Sequence, residues 1–277
     1  MPKPNISLTR RLESCKNFFV RLITTFVLVP IVLVVTYEGG FWFISLVSLV
    51  IGIASFEWSK LCGETSLIFN VCYSLTGPII SVIYFYWGYQ IALLFIIVFA
   101  LIYMFTNNRL NHNNMWFSFG VCYLSLPMVC IIMLRMDDSI GLNYVLFLFI
   151  VVWMTDIGAY FVGKLIGGSK LMPAISPKKT WSGAFGGLVF SLVGAIILAS
   201  IVENRVPPTY MVLAIFLSII SQFGDLFESW VKRRFNKKDS GLIIPGHGGI
   251  LDRIDGLLTS APIMLLTILL LKDIAFL

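Results

Sequence analysis

Apolar runs about as long as a bilayer-crossing helix succeed one another along almost the whole chain. A helix rising about 1.5 Å per residue needs roughly 20 residues to cross a hydrocarbon core of about 30 Å. Nine runs reach this length, near 18–37, 41–61, 67–87, 89–106, 115–134, 142–165, 182–202, 209–231 and 256–272. The chain is 58% hydrophobic and only 12% charged, about half the charged share of a soluble domain. The sequence therefore predicts an all-α, polytopic membrane protein with about nine transmembrane helices. Phe18–Tyr37 follows basic residues, as a signal peptide's apolar region would. It is too long for that role and lacks a small-residue cleavage site, so it is expected to be the first retained span. Pro78 after Gly77 predicts a kink in the third run. Trp87-Gly88 predicts a very tight turn into the fourth, and a re-entrant hairpin would fit that pair almost as well.

Charge placement gives an independent test of topology. With a cytoplasmic N-terminus, seventeen of the twenty lysines and arginines fall on the cytoplasmic side, leaving Arg135, Arg205 and Lys272 on the other. That asymmetry is what the positive-inside rule demands. The net charge of +6 is thus a record of orientation, and nucleic acid is not an expected partner. The five cysteines show no CxxC or other metal-ligand spacing and read as reduced thiols packed like small hydrophobes. Residues 1–135 are mostly uninterrupted apolar helix and read as a transmembrane scaffold, or as the interface of a homodimer. Residues 136–277 carry the polar chemistry on two cytoplasmic loops, 164–181 and 232–255.

Acids and bases crowd together between Gln222 and Asp255 as nowhere else. Asp225, Glu228, Asp239, Asp252 and Asp255 stand among Lys232, Arg233, Arg234, Lys237, Lys238 and Arg253. Acids alone would suggest a cation site and bases alone a phosphate or lipid-surface patch. Interleaved, they suggest a divalent metal holding phosphates: carboxylates suit magnesium, and lysine or arginine takes the remaining phosphate oxygens. Asp225 and Glu228 lie three apart on one helix face, and Lys232 continues it. Asp252 and Asp255 repeat the spacing where the last run opens, so the two pairs are expected to meet in one cytoplasm-facing recess. His247 sits between Gly246 and Gly248, which let the backbone approach a ligand closely. His112, in the polar stretch 107–114, reads as a solvated loop residue.

Acids inside apolar runs usually mark function. Glu57, beside Trp58 and near Lys60, reads as an interfacial ion pair; Asp156 is evenly balanced between structure and site. The stretch from Gly163-Lys164 to Ser169-Lys170 fails as a phosphate-binding loop, because a membrane helix precedes it and the residue order is wrong. The neighbouring SPKKT (176–180) is more informative. Pro177 is expected to stop extended chain, Ser176 and Thr180 offer hydroxyls, and Lys178 and Lys179 bring charge to a helix N-terminus, a ready anion site. Contact with anionic lipid is the alternative for that stretch. Gly183, Gly187 and Gly194 are expected to permit close helix packing.

Ser229, Val231-Lys232-Arg233, Lys238-Asp239, Pro245-Gly246-His247-Gly248-Gly249 and Asp252-Arg253-Ile254-Asp255 keep every spacing of one known signature. On these residues the chain resembles the CDP-diacylglycerol synthase (phosphatidate cytidylyltransferase) family. The resemblance is strong over 153–262 and general before that. One departure is Ser182, where an acidic residue is expected. The resemblance implies that CTP and phosphatidate react to CDP-diacylglycerol and pyrophosphate, with Mg2+ as cofactor and room for a second cation. It implies metal binding by Asp225 and Asp252, with Asp255 and Glu228 in support. Lys232, Arg233, Lys238 and Arg253 would neutralise the triphosphate and the lipid phosphate. Lys178 and Lys179 would clamp from the other loop, beside Ser176 and Thr180. His247 would contact phosphate or give a proton to the leaving group. It further implies a multi-pass protein of a bacterial inner membrane, its active site facing the cytoplasm and open sideways to membrane lipid. Two other readings compete: a CTP-dependent polyprenol kinase, and an ion-coupled transporter, against which the unlike polarity of the two halves argues.

Overall fold

The computed structural model describes Thr24 and residues 26–106, 114–137, 140–203, 208–241 and 248–270. These residues form an almost wholly helical protein. A short apolar helix, α1 (Phe26–Glu38), precedes α2 (Gly40–Leu61), α3 (Leu67–Thr106), α4 (Asn114–Arg135) and α5 (Gly141–Ile166). A two-stranded hairpin follows, β1 (Lys170–Met172) and β2 (Ser176–Thr180), then α6 (Trp181–Glu203), α7 (Pro208–Arg234) and α8 (Leu251–Leu270). Seven of the described helices, α2 to α8, are long and apolar enough to cross a bilayer. In such a setting backbone groups must be satisfied within the segment, which is why helix dominates.

The 40-residue α3 is not one rod. Gly88 has φ 81° and ψ 179°, a backbone state open to glycine and strained for other residues. The two arms double back from it: the Tyr73 and Tyr103 rings lie 4.8 Å apart, and Phe69 and Tyr103 lie 5.7 Å apart. Trp87-Gly88 is therefore the tight turn that the sequence predicts. At the far end of α4, the Arg135 guanidinium donates to the carbonyls of Thr36 (2.6 Å) and Tyr37 (2.8 Å), closing the last turn of α1.

The hairpin corrects one expectation. Pro177 does not stop extended chain; it lies inside β2, which pairs antiparallel with β1 through Lys170–Thr180 and Met172–Ser176. A two-stranded ribbon leaves one edge of each strand without a ladder partner, and proline is tolerated on such an edge.

Two close helix pairs frame the space between hairpin and bundle. Where α5 meets α6, a Cβ added at Gly158 would lie 2.6 Å from the Gly186 carbonyl oxygen, and one at Gly183 would lie 2.7 Å from that of Ala159. Gly187 and Gly194 face Thr155 and Met154 just as tightly, so the packing role expected of Gly183, Gly187 and Gly194 is met. Where α7 meets α8, a Cβ at Gly224 would approach the Asp255 carbonyl oxygen to 2.7 Å, and one at Gly256 the Ser221 hydroxyl to 2.4 Å. Each of these glycines adjoins an acid in sequence, so the same contact that joins the helices brings Asp225 and Asp255 to one level. Thr155 Oγ1 reaches Ser218 Oγ at 2.8 Å and ties α5 to α7. Replacing Gly186 with alanine would place its Cβ 2.4 Å from that of Val162. Overpacking of this kind costs about 1–3 kcal/mol; Gly186→Ala is expected to lower the thermal transition of the detergent-purified protein accordingly.

Candidate functional site

A recess of about 640 Å³ opens between the hairpin, the end of α5, the start of α6, the end of α7 and the start of α8. Asp156, Asp225, Asp239, Asp252 and Asp255 line it together with Lys164, Lys170, Lys178, Lys179, Lys232 and Arg253. Asp225, Asp252 and Asp255 of the two acidic pairs thus share one site with the SPKKT lysines, with Glu228 joined to it through Lys232, although these groups lie up to 77 positions apart along the chain.

Lys232 is at its centre. Its amine donates to Glu228 Oε1 at 3.1 Å and to Asp252 Oδ1 at 2.5 Å. Glu228 is fully buried and Lys232 nearly so. The pair on α7 is spaced i, i+4, so one helix turn presents base and acid to the same point. Asp252 comes from α8 and is fixed at its other oxygen as well. Its Oδ2 accepts the Ser240 amide (3.2 Å), the Ser240 hydroxyl (2.9 Å) and the Gly249 amide (3.1 Å). Lys179 of β2 forms an ion pair with Asp225 across the recess. Each of the two expected metal-binding acids therefore holds a lysine, the arrangement that compensates carboxylates drawn together out of bulk water.

Among the described residues no three acidic, histidine or cysteine side chains converge as a metal-binding group. The donor set nevertheless suits a hard divalent ion: carboxylate oxygens line the recess, and the buried Glu228 Oε2 has no hydrogen-bond partner among the described residues. Such an oxygen is costly unless a proton or cation meets it. Asp225, Asp252 and Asp255 are the residues that would hold magnesium.

Several residues singled out from sequence have other work in the structure. Thr180 lines the recess but also caps α6, its hydroxyl accepting the Gly183 amide at 3.1 Å. Ser182, in place of the expected acid, hydrogen-bonds to Thr180 at 3.0 Å and donates to the Gly167 carbonyl. Arg233 is exposed and donates to the carbonyls of Ile175 (3.2 Å) and Lys237 (3.1 Å), pinning the hairpin turn to α7. Ser176 and Lys238 do not line the recess, and Lys238 is exposed. His247 and His112 lie outside the described residues. Asp156 lines the recess, as do Asp239, Lys164 and Lys170. Lys170 was already visible as the base closing the failed phosphate-loop pattern.

Glu57 departs furthest from expectation. It makes no ion pair with Lys60, whose amine sits 4.4 Å from the Phe56 ring centre. It accepts instead the amides of Ile250 (3.1 Å) and Leu251 (2.9 Å), where α8 begins. On the same end of α2, the Lys237 amine donates to the Lys60 carbonyl. Burial there lowers the Lys237 amine below the usual lysine range, with the Lys60 charge adding to the shift and Cys62 opposing it. Loss of a helix-capping hydroxyl costs about 0.5–2 kcal/mol. Thr180→Val is therefore expected to lower the unfolding transition by that amount, while Thr180→Ser keeps it, as followed by thermal denaturation.

The chain is 40% identical over 253 residues to the phosphatidate cytidylyltransferase of Brucella suis biovar 1, covering 90% of this chain and 93% of that one. It is 42% identical over 176 residues to the protein of that name from Bacillus subtilis, covering 61% and 65%. With the one from Staphylococcus saprophyticus the identity is 46% over 154 residues, covering 54% and 58%. A sequence model of the Cytidylyltransferase family matches residues 19–271, and with that match spanning nearly the entire length, the chain belongs to this family.

Proposed function

We propose that the protein is a phosphatidate cytidylyltransferase, a nucleotidyltransferase of phospholipid biosynthesis. It joins CTP and phosphatidate into CDP-diacylglycerol and releases pyrophosphate. A phosphate oxygen of phosphatidate forms a bond to the α-phosphorus of CTP. The bond from that phosphorus to the bridging oxygen of the β-phosphate breaks, and its electrons leave with pyrophosphate. The observation that carries this reading is the recess itself, where five carboxylates and six basic side chains interleave. Both reactants are anions, so the site must hold like charges together and stabilise the departing one.

Lys179 and Lys232 stand where the phosphates would enter, held by Asp225 and Asp252. Lys178, Lys164, Lys170 and Arg253 supply the remaining positive charge at the walls. The acceptor phosphate is already ionised, so no strong base is required. Magnesium, held by Asp225 and Asp252 with Asp255 in support, would neutralise phosphate charge and polarise the α-phosphate. His247 is proposed to contact phosphate or to protonate the leaving group.

The same reading makes 136–277 the catalytic region and 1–135 the scaffold, through which a homodimer would form. It counts nine crossings, with α3 crossing twice and the first run crossing once, and it puts the recess at the cytoplasm. The support is the asymmetry of the basic residues together with the doubling back at Gly88. A single cysteine replacing the exposed Lys238, in a cysteine-free background, is expected to react with a membrane-impermeant maleimide in inside-out vesicles. Labelling in intact cells instead would overturn the orientation.

The activity is tested with purified protein, magnesium, phosphatidate and CTP labelled at either the α- or the γ-phosphate. The α-label is expected in the lipid phase and the γ-label in pyrophosphate. The reverse would identify a lipid kinase. Asp252→Asn is expected to reduce this turnover by about 10²- to 10³-fold, as loss of one contact to the reacting charge does, with insertion and folding retained. Near-normal turnover would remove Asp252 from the site.

A further inference from the structure

Glu57 lies in α2, outside both polar stretches that build the recess, yet it is 2% exposed and its carboxylate faces the recess's supporting loop. Both its oxygens are engaged by the start of α8: Oε1 by the Ile250 amide, Oε2 by the Leu251 amide. The first amides of a helix have no partner within it, and a carboxylate there also meets the positive end of the helix dipole. In most helices a neighbouring residue does this. Here the group comes from 194 positions away in sequence.

Gly241 and Gly249 both close on that carboxylate. A Cβ at Gly241 would lie 2.4 Å from Glu57 Oε1, and one at Gly249 would lie 2.6 Å from Oε2. Neither glycine has a positive φ; an added side chain would meet Glu57 at Gly241, and both Ser240 Oγ (2.0 Å) and Glu57 at Gly249. Ser240 completes the link, its hydroxyl lying 3.5 Å from Glu57 Oε2 and 2.9 Å from Asp252 Oδ2. Gly249, which adjoins Ile250, gives its amide to the same Asp252 oxygen. Glu57 thus fixes the helix start that adjoins Gly249 and lies beside Ser240, the two residues that hold Asp252.

We infer that Glu57 is a positioning residue for the reaction: through the α8 N-terminus, Ser240 and Gly249 it sets where the Asp252 carboxylate stands in the recess. It touches no reacting atom itself. A lost Glu57 leaves Asp252 present but misplaced, and misplacement by about 1 Å can cost about 100-fold in rate. Glutamine keeps the size of the side chain but turns an NH2 group toward one of two amides, donor against donor.

This inference rests on the proposed transferase activity, and the test separates the two. Full-length wild type, Glu57→Gln and Gly241→Ala are assayed for CDP-lipid formation, and active protein is counted by equilibrium binding of labelled CTP. Turnover per CTP-binding site is expected to fall about 10- to 100-fold in Glu57→Gln, with KM for both substrates within about twofold. Gly241→Ala, which displaces the carboxylate without removing it, is expected to show the same split and serves if Glu57→Gln does not fold. A purely structural role would lower the number of CTP-binding sites and leave turnover per site unchanged. That result, in whichever variant folds, overturns the inference. Absence of CDP-lipid from the wild type would instead overturn the proposed function.

Discussion

The contact between Lys232 and two carboxylates, one from its own helix and one from the next, is the interaction on which the site depends. Glu228 and Asp252 could not share so small a volume without a cation between them, and the ammonium supplies it. The lysine in turn could not be buried there alone. Removing one partner from such a pair leaves an uncompensated buried charge, a loss of about 3–5 kcal/mol in soluble proteins. The α7–α8 contact and the glycines that permit it are arranged about this point.

Two lysines of the recess form opposed couples, each resting against the acid of a neighbouring element. Lys179 joins the hairpin to α7, and Lys232 joins α7 to α8. Anionic reactants entering such a site meet bases already in place and compete with the carboxylates for them. This is the physical sense of a site in which both signs alternate.

Much of this was legible in the sequence because membrane chains obey few rules strictly. The runs of about twenty apolar residues locate α2 and α4–α8, and Trp87-Gly88 gives the break in α3. The spacing of Asp225 and Glu228, and of Asp252 and Asp255, is enough to put each pair on one helix face. What the sequence hides is which polar atoms are already engaged. Thr180 and Arg233 look like phosphate ligands by type, yet one caps α6 and the other fastens the hairpin. Pro177 looks like a strand breaker, but a free edge accommodates it. Glu57 resembles an interfacial ion pair because Lys60 is three residues away, whereas its partners are amides contributed by a helix nearly two hundred residues downstream. Local spacing reports faces of one element; it carries no information on a contact closed by tertiary folding.

The glycine seam between α5 and α6 has a consequence for how such a protein could diverge. At Gly158 and Gly186 main chain approaches main chain, and the Val162 and Phe190 side chains close in beside it, so the seam has no spare room. The wall that carries Asp156 is therefore inextensible. Any enlargement of the recess for a bulkier head group would meet the least constraint at the hairpin, whose two strands pair only with each other.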